Sequence, residues 1–167
     1  MSHVAHKAEA PKSTNCFVVT VSDTRTEAND RGGGAIVELL SQQGHRVAGK
    51  AIIPDDAERV RAELEAQIAV DDIDAVITTG GTGISRRDGT YEVVSALLDK
   101  RIDGFGELFR ALSFEEIGPA AMLSRACAGI AKGTIIISVP GSEHAVRLAM
   151  SKLILPELGH LVREARR

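Results

Sequence analysis

The stretch Thr78-Thr79-Gly80-Gly81-Thr82-Gly83-Ile84-Ser85-Arg86-Arg87-Asp88-Gly89 directly follows the apolar run Ile73-Asp74-Ala75-Val76-Ile77. Glycines at a strand end permit positive φ and let backbone N–H groups approach a bulky anion, which suits a phosphate. Arg87 can steady charge on a phosphoryl group, and the Asp88 carboxylate offers hard oxygens to a divalent cation. The competing readings are a tight strand-to-helix turn without a ligand, and an Asp88 that caps the next helix or pairs with an arginine.

Three other loops end apolar runs in the same way: Ser22-Asp23-Thr24, Pro54-Asp55-Asp56 and Pro140-Gly141-Ser142. Asp55 is open to two roles, helix N-cap or metal ligand, and Asp56 can do the capping alone. Ser22 and Asp23 are either turn formers or weak candidates for nucleotide binding, and Ser142 either caps a helix or lines a pocket. Open α/β sheets bind ligands outside the carboxyl ends of their strands. If the sheet is parallel, these loops gather at one edge.

The elements that must position them follow from periodicity. Strands are predicted at residues 16–21, 47–53, 73–79, 126–131 and 134–139, the last two joined by a Lys132-Gly133 turn. Helices are predicted after Gly34, after Asp56, over residues 90–98, near residues 107–114, through Ala145 to Ala149, and through Leu158 to Val162 with its start set by Pro156. The β-α-β-α-β-α order argues for a mostly parallel sheet flanked by helices.

Two phosphate fingerprints are excluded. Gly44-His45-Arg46-Val47-Ala48-Gly49-Lys50-Ala51 approaches a P-loop, but Ala51 lacks the hydroxyl for Mg²⁺ and the stretch leads from helix into strand. Gly81-Thr82-Gly83-Ile84-Ser85-Arg86 ends in arginine where a dinucleotide fold has glycine, and no acidic ribose partner follows.

The composition bounds the partners. The chain has 167 residues, 44% hydrophobic and 26% charged, which suits one compact domain over residues 15–167. Residues 1–14 read as a disordered leader without a secretion signal, and no apolar run nears the roughly 20 residues of a membrane helix. A cytoplasmic protein without a membrane partner is expected. A net charge of −3 and 3% aromatic content give no nucleic-acid surface. Cys16 and Cys127 read as buried unpaired thiols, and His45, His144 and His160 as isolated, leaving a histidine-built metal site unsupported.

Taken in order, Ile53-Pro54-Asp55, Thr78-Thr79-Gly80-Gly81-Thr82-Gly83 with Arg87-Asp88, Gly104-Phe105-Gly106-Glu107, Leu123-Ser124-Arg125-Ala126 and Pro140-Gly141-Ser142 resemble the molybdopterin-binding family of MogA, MoaB and the gephyrin N-terminal domain. The ending Leu155-Pro156-Glu157-Leu158-Gly159-His160-Leu161 is similar to the MoaB branch. The resemblance implies a three-layer α/β sandwich, a homo-oligomer (trimer or hexamer), and Mg²⁺-dependent transfer of AMP from ATP to molybdopterin with release of pyrophosphate. It implies catalytic and Mg²⁺-binding roles for Asp55 and Asp88. It also implies a molybdopterin and phosphate pocket at Thr79, Gly80, Gly81, Thr82, Gly83, Arg87, Pro140, Gly141 and Ser142. In one departure from the family pattern, Gly89-Thr90-Tyr91 follows Asp88 where relatives usually have Val-Thr-Pro or Val-Thr. A second reading is therefore a MoaB-like protein that binds molybdopterin without turnover.

Overall fold

The computed structural model describes residues 2–167. Its elements, in chain order, are α1 (His3–Ala8), β1 (Asn15–Val21), α2 (Arg31–Gln42), β2 (Arg46–Ile53), α3 (Ala57–Ile68), β3 (Ala75–Thr79), α4 (Thr90–Leu97) and β4 (Lys100–Arg101). They continue with α5 (Asp103–Ile117), a 3₁₀ turn (Gly118–Leu123), β5 (Cys127–Ala131), β6 (Thr134–Val139), α6 (Glu143–Ala149), a π turn (Met150–Ile154) and α7 (Leu155–Ala165). No helix among the described residues is long and apolar enough to cross a membrane.

The six strands form one sheet in the order β2-β1-β3-β6-β5-β4. Strands β2, β1, β3 and β6 are mutually parallel, whereas β5 runs antiparallel to β6 and β4 antiparallel to β5. Parallel central strands need cover on both faces, which is why β3 and β6 are buried at every residue. Side chains alternate between two cores. Val18, Ile77, Ile135 and Ile137 pack under the helices α2, α5, α6 and α7, and Val19, Val76 and Ile136 pack under α3 and α4. Full burial of each such side chain contributes about 1.5–3 kcal/mol. The result is the three-layer α/β arrangement expected.

Local chemistry sets the element ends. Asp30 caps α2 by accepting from Gly33 N at 3.0 Å, Asp56 caps α3 through Arg59 N at 3.0 Å, and Ser142 caps α6 through Ala145 N at 3.2 Å. The β5–β6 hairpin turns on Lys132 and Gly133, both at positive φ, as a two-residue turn between right-twisted strands requires. Both cysteines are buried and free, and burial pushes each thiol up to about 11.

Three features differ from the sequence reading. Where a disordered leader is expected, His3–Ala8 form α1, which packs on α7 through Lys7–Glu157 and Arg163–Glu9 ion pairs. Pro156 does not begin a separate helix, because α6, the π turn and α7 run on continuously. In the π turn Leu155 N donates to Met150 O, and Pro156, which has no N–H to donate, follows at the first turn of α7. The two-residue β4 is too short for a periodicity signal and exists through its pairing with Ile130 and Gly129.

Candidate active site

The carboxyl ends of β1, β2, β3 and β6 do meet along one rim. Ser22 N donates to Ile53 O at 2.9 Å, joining the β1 and β2 ends, and Gly80 N donates to Val139 O at 3.0 Å, joining those of β3 and β6. Thr79 Oγ1 donates to Pro140 O at 2.8 Å, so the glycine loop and the Pro140-Gly141-Ser142 turn are held together. Gly80 sits at φ 100°, and a Cβ there would collide with the Val21 carbonyl oxygen. The loop crosses over β1 only because the side chain is missing.

Asp55 and Asp88 flank this loop. The Asp55 Oδ2 atom lies 3.4 Å from where a Gly81 Cβ would stand, and Asp88 Oδ2 lies 2.6 Å from the equivalent point at Gly83. Asp56 performs the helix capping, which leaves Asp55 outside that role, and its Oδ1 only accepts a long bond from Gly89 N at 3.5 Å. Burial holds the Asp55 carboxyl above the usual carboxylate range, and the neighbouring charges of Asp88 and Asp23 add to the shift against the opposing Gly89 bond and Arg87. Asp88 neither caps α4 nor pairs with an arginine side chain among the described residues. Its Oδ2 accepts from Ser85 N at 2.9 Å and from Ser85 Oγ at 2.7 Å.

The remaining sequence candidates divide by role. Arg87 reaches across to Asp23, with Nε and Nη2 at 3.0 and 2.8 Å from its oxygens, and Asp23 also accepts from Asp55 N at 3.0 Å. Asp23 therefore ties the β1 loop to both the β2 loop and Arg87. Ser22 forms a turn, its Oγ accepting from Thr24 N and Arg25 N. Thr82 is buried within the loop, and Ser142 is the cap of α6. Two cavities open beside the loop. One of about 390 Å³ is lined by Thr20, Ser22, Arg25, Thr79, Gly141 and Ser142, and one of about 450 Å³ by Ser85, Arg86, Asp88, Glu92 and Arg125.

Arg125 is the residue whose part at the site the spacing of motifs did not disclose. Its guanidinium donates to Gly83 O and Asp88 O, each at 3.0 Å, and pairs with Glu92, while its own backbone N donates to Thr82 O at 2.9 Å. It thus straps the glycine loop from the 3₁₀ side. Only its place in the Leu123-Ser124-Arg125-Ala126 motif marks it in the sequence.

Residues 17–160 match the family described as "Probable molybdopterin binding domain". The chain belongs to this family. A relative from Bacillus cereus, molybdenum cofactor biosynthesis protein B, is 53% identical over 168 residues, covering all of this chain and 99% of that protein. Among solved structures, a crystal structure of a molybdenum cofactor biosynthesis protein B superposes with a TM-score of 0.91 at 53% identity, covering 95% of this chain and 99% of the other. The tungsten cofactor synthesizing protein MoaB from Pyrococcus furiosus superposes at 0.86 with 42% identity, covering 95% and 100%. The glycine loop, Asp55, Asp88 and the Pro140-Gly141-Ser142 turn thus lie on one rim of a fold shared over 95% of the chain with these structures.

Proposed function

We propose that this chain acts in molybdenum cofactor biosynthesis as a molybdopterin adenylyltransferase. A terminal phosphate oxygen of molybdopterin attacks the α-phosphorus of ATP, a P–O bond forms, and the bond to the β-phosphate oxygen breaks to release pyrophosphate. The observation that carries this reading is the convergence of Asp55 and Asp88 on one glycine loop, with Asp88 lining a cavity of about 450 Å³.

Mg²⁺ fits the donor set. Asp55 and Asp88 supply hard carboxylate oxygens, neither is paired with a cationic side chain among the described residues, and burial, with the neighbouring acids adding to it, raises the Asp55 carboxyl. When bound, Mg²⁺ would neutralise phosphate charge. The chain itself does the positioning: Gly80, Gly81 and Gly83 offer close backbone approach, Arg87 steadies charge on the transferring phosphoryl group, and Thr79 with Pro140, Gly141 and Ser142 bounds the molybdopterin cavity. Ser22, which lines the same cavity as Thr79, Gly141 and Ser142, and the neighbouring Asp23 would contact the nucleotide. An exposed apolar face made by Leu108, Phe114, Ile117, Met122 and Leu123 supports a homo-oligomer, trimer or hexamer.

A second reading, molybdopterin binding without turnover, is favoured by the double hold of Ser85 on Asp88 and by an α4 whose N-cap residue, Gly89, gives no side-chain cap. Incubation with Mg-ATP and molybdopterin decides between them. Adenylyl-molybdopterin that forms with wild type and not with Asp88→Asn supports the enzyme, and tight molybdopterin binding with no product supports the binding protein.

A further inference from the structure

The amino-terminal helix α1 lies against α7. Lys7 Nζ is 2.6 Å from Glu157 Oε1, Glu9 pairs with Arg163, and α7 comes close beneath the Pro11 carbonyl at Gly159. Within this contact His6, His160 and Glu164 each present a ligand atom, all within 4.8 Å of one another. His160 and Glu164 are one turn apart on the same face of α7. His6 faces them from α1, with Nδ1 3.4 Å from Glu164 Oε1 and its ring edge-on to that of His160 at 6.0 Å between centroids.

A further contact orients this group. Glu157 Oε2 accepts from His160 Nδ1 at 2.8 Å, while Lys7 holds its other oxygen. A carboxylate behind a histidine fixes the ring and its tautomer, leaving Nε2 as the nitrogen free to ligate; metal-bound histidines almost always have such a partner.

We infer that His6, His160 and Glu164 form a binding site for a zinc-class divalent cation, completed by water, that latches α1 onto α7. Two imidazoles and a carboxylate form a donor set for Zn²⁺, whereas Mg²⁺ and Ca²⁺ take oxygen ligands. Zinc–nitrogen bonds of about 2.0–2.1 Å set tetrahedral donors ~3.4 Å apart. Binding therefore requires side-chain rotation to close the present separation of up to 4.8 Å, and requires the cation to displace Arg163 and Arg167, whose Nη1 atoms lie 2.6 and 3.4 Å from the Glu164 oxygens. The site lies at the end of the sheet away from the rim: Arg166 of α7 pairs with Asp74, whose Oδ2 accepts from Asn15 N where β1 begins. The cation is therefore structural and separate from any Mg²⁺ at Asp55 and Asp88.

The test uses the full chain, stripped of metal with a chelator and titrated with Zn²⁺ by calorimetry and with Co²⁺ by absorption. One Zn²⁺ per chain and a tetrahedral Co²⁺ spectrum are expected, with both lost in His6→Ala and in His160→Gln and Zn²⁺ affinity reduced about 10–100-fold in Glu157→Gln. Zn²⁺ should also slow amide exchange over residues 3–9 in wild type and not in His6→Ala. Wild type that binds no more Zn²⁺ than His6→Ala, or that exchanges at the same rate over residues 3–9 with and without Zn²⁺, would overturn the assignment. His6 lies on a surface helix outside both cores, so its variant remains informative if His160→Gln fails to fold.

Discussion

Asp23 grips Arg87 at two points, and its Oδ1 also takes the backbone N–H of Asp55, so one carboxylate sets the position of a cation and of an acid on different loops. The Arg87 bond and the Asp55 N–H hold the Asp23 carboxyl below the usual range. An exposed pair of this kind contributes little to stability. Its worth is in aim. On the proposed function, Arg87→Ala is expected to lower adenylylation about 100-fold while Tm stays at the wild-type value. Equal losses of activity and Tm would instead assign Arg87 to the scaffold.

Asp55 should trade stability for function. Its folded pKa is raised, so the unfolded chain releases this proton first, and ionisation costs stability once pH exceeds the unfolded value of about 3.9. Asp55→Asn is therefore expected to gain stability at neutral pH and, on the proposed function, to abolish turnover. In urea titrations the gain should be absent in acid, open as pH rises above ~3.9, and level off above the raised folded pKa. A variant less stable than wild type at pH 7 would contradict this account of the site.

Arg125 makes bonds that a lysine cannot reproduce, because one planar fork serves Gly83 O, Asp88 O and Glu92 together. Arg125→Lys and Arg125→Ala should each destabilise the chain, the latter by about 2 kcal/mol. The distinguishing readout is local. Amide exchange should quicken across residues 80–89 well before the strands are affected, and exchange that changes uniformly would place Arg125 in the general scaffold.

How far the sequence discloses these features depends on the range of the signal. The buried β1, β3 and β6 are legible because parallel strands with helices on both faces have unbroken β-branched runs, and the rim follows because these three runs and the less buried β2 all end in turn-forming residues. Asp55 and Asp88 are likewise visible as acids in those loops. Their freedom from capping is not, since it depends on Asp56 taking Arg59 N and Ser85 taking Asp88. Arg125 strapping the loop and His6 meeting His160 are contacts between distant segments, for which no periodicity exists. The continuity of α6 with α7 is hidden for another reason: Pro156 is read as the start of a new helix, whereas the π turn carries the chain on without a break.

Lys50 provides a test of the ground beneath the site. It lies on β2 within the stretch that superficially resembles a P-loop, and its Nζ is 2.6 Å from Asp30 Oδ2, with both side chains largely buried. Asp30 also caps α2 and accepts from Thr20 Oγ1 at 2.7 Å, so the pair fixes α2 against the β1 end beside the 390 Å³ cavity. Burial opposes both charges, but the hydrogen bonds between them prevail, holding Asp30 below and Lys50 above their ordinary values. Removing one partner strands a buried charge, so Lys50→Met should cost about 3–5 kcal/mol, and adding Asp30→Asn should restore part of it. The depressed Asp30 pKa gives stability that is present above the unfolded value near 3.9 and lost as pH falls through the folded value. The raised Lys50 pKa gives stability that is present below the unfolded value near 10.4 and lost as pH rises through the folded value. The difference in unfolding free energy between wild type and Lys50→Met should therefore form a plateau between roughly pH 4 and pH 10 and shrink outside it. A difference that does not vary with pH would mean that Lys50 acts through its alkyl packing rather than its charge.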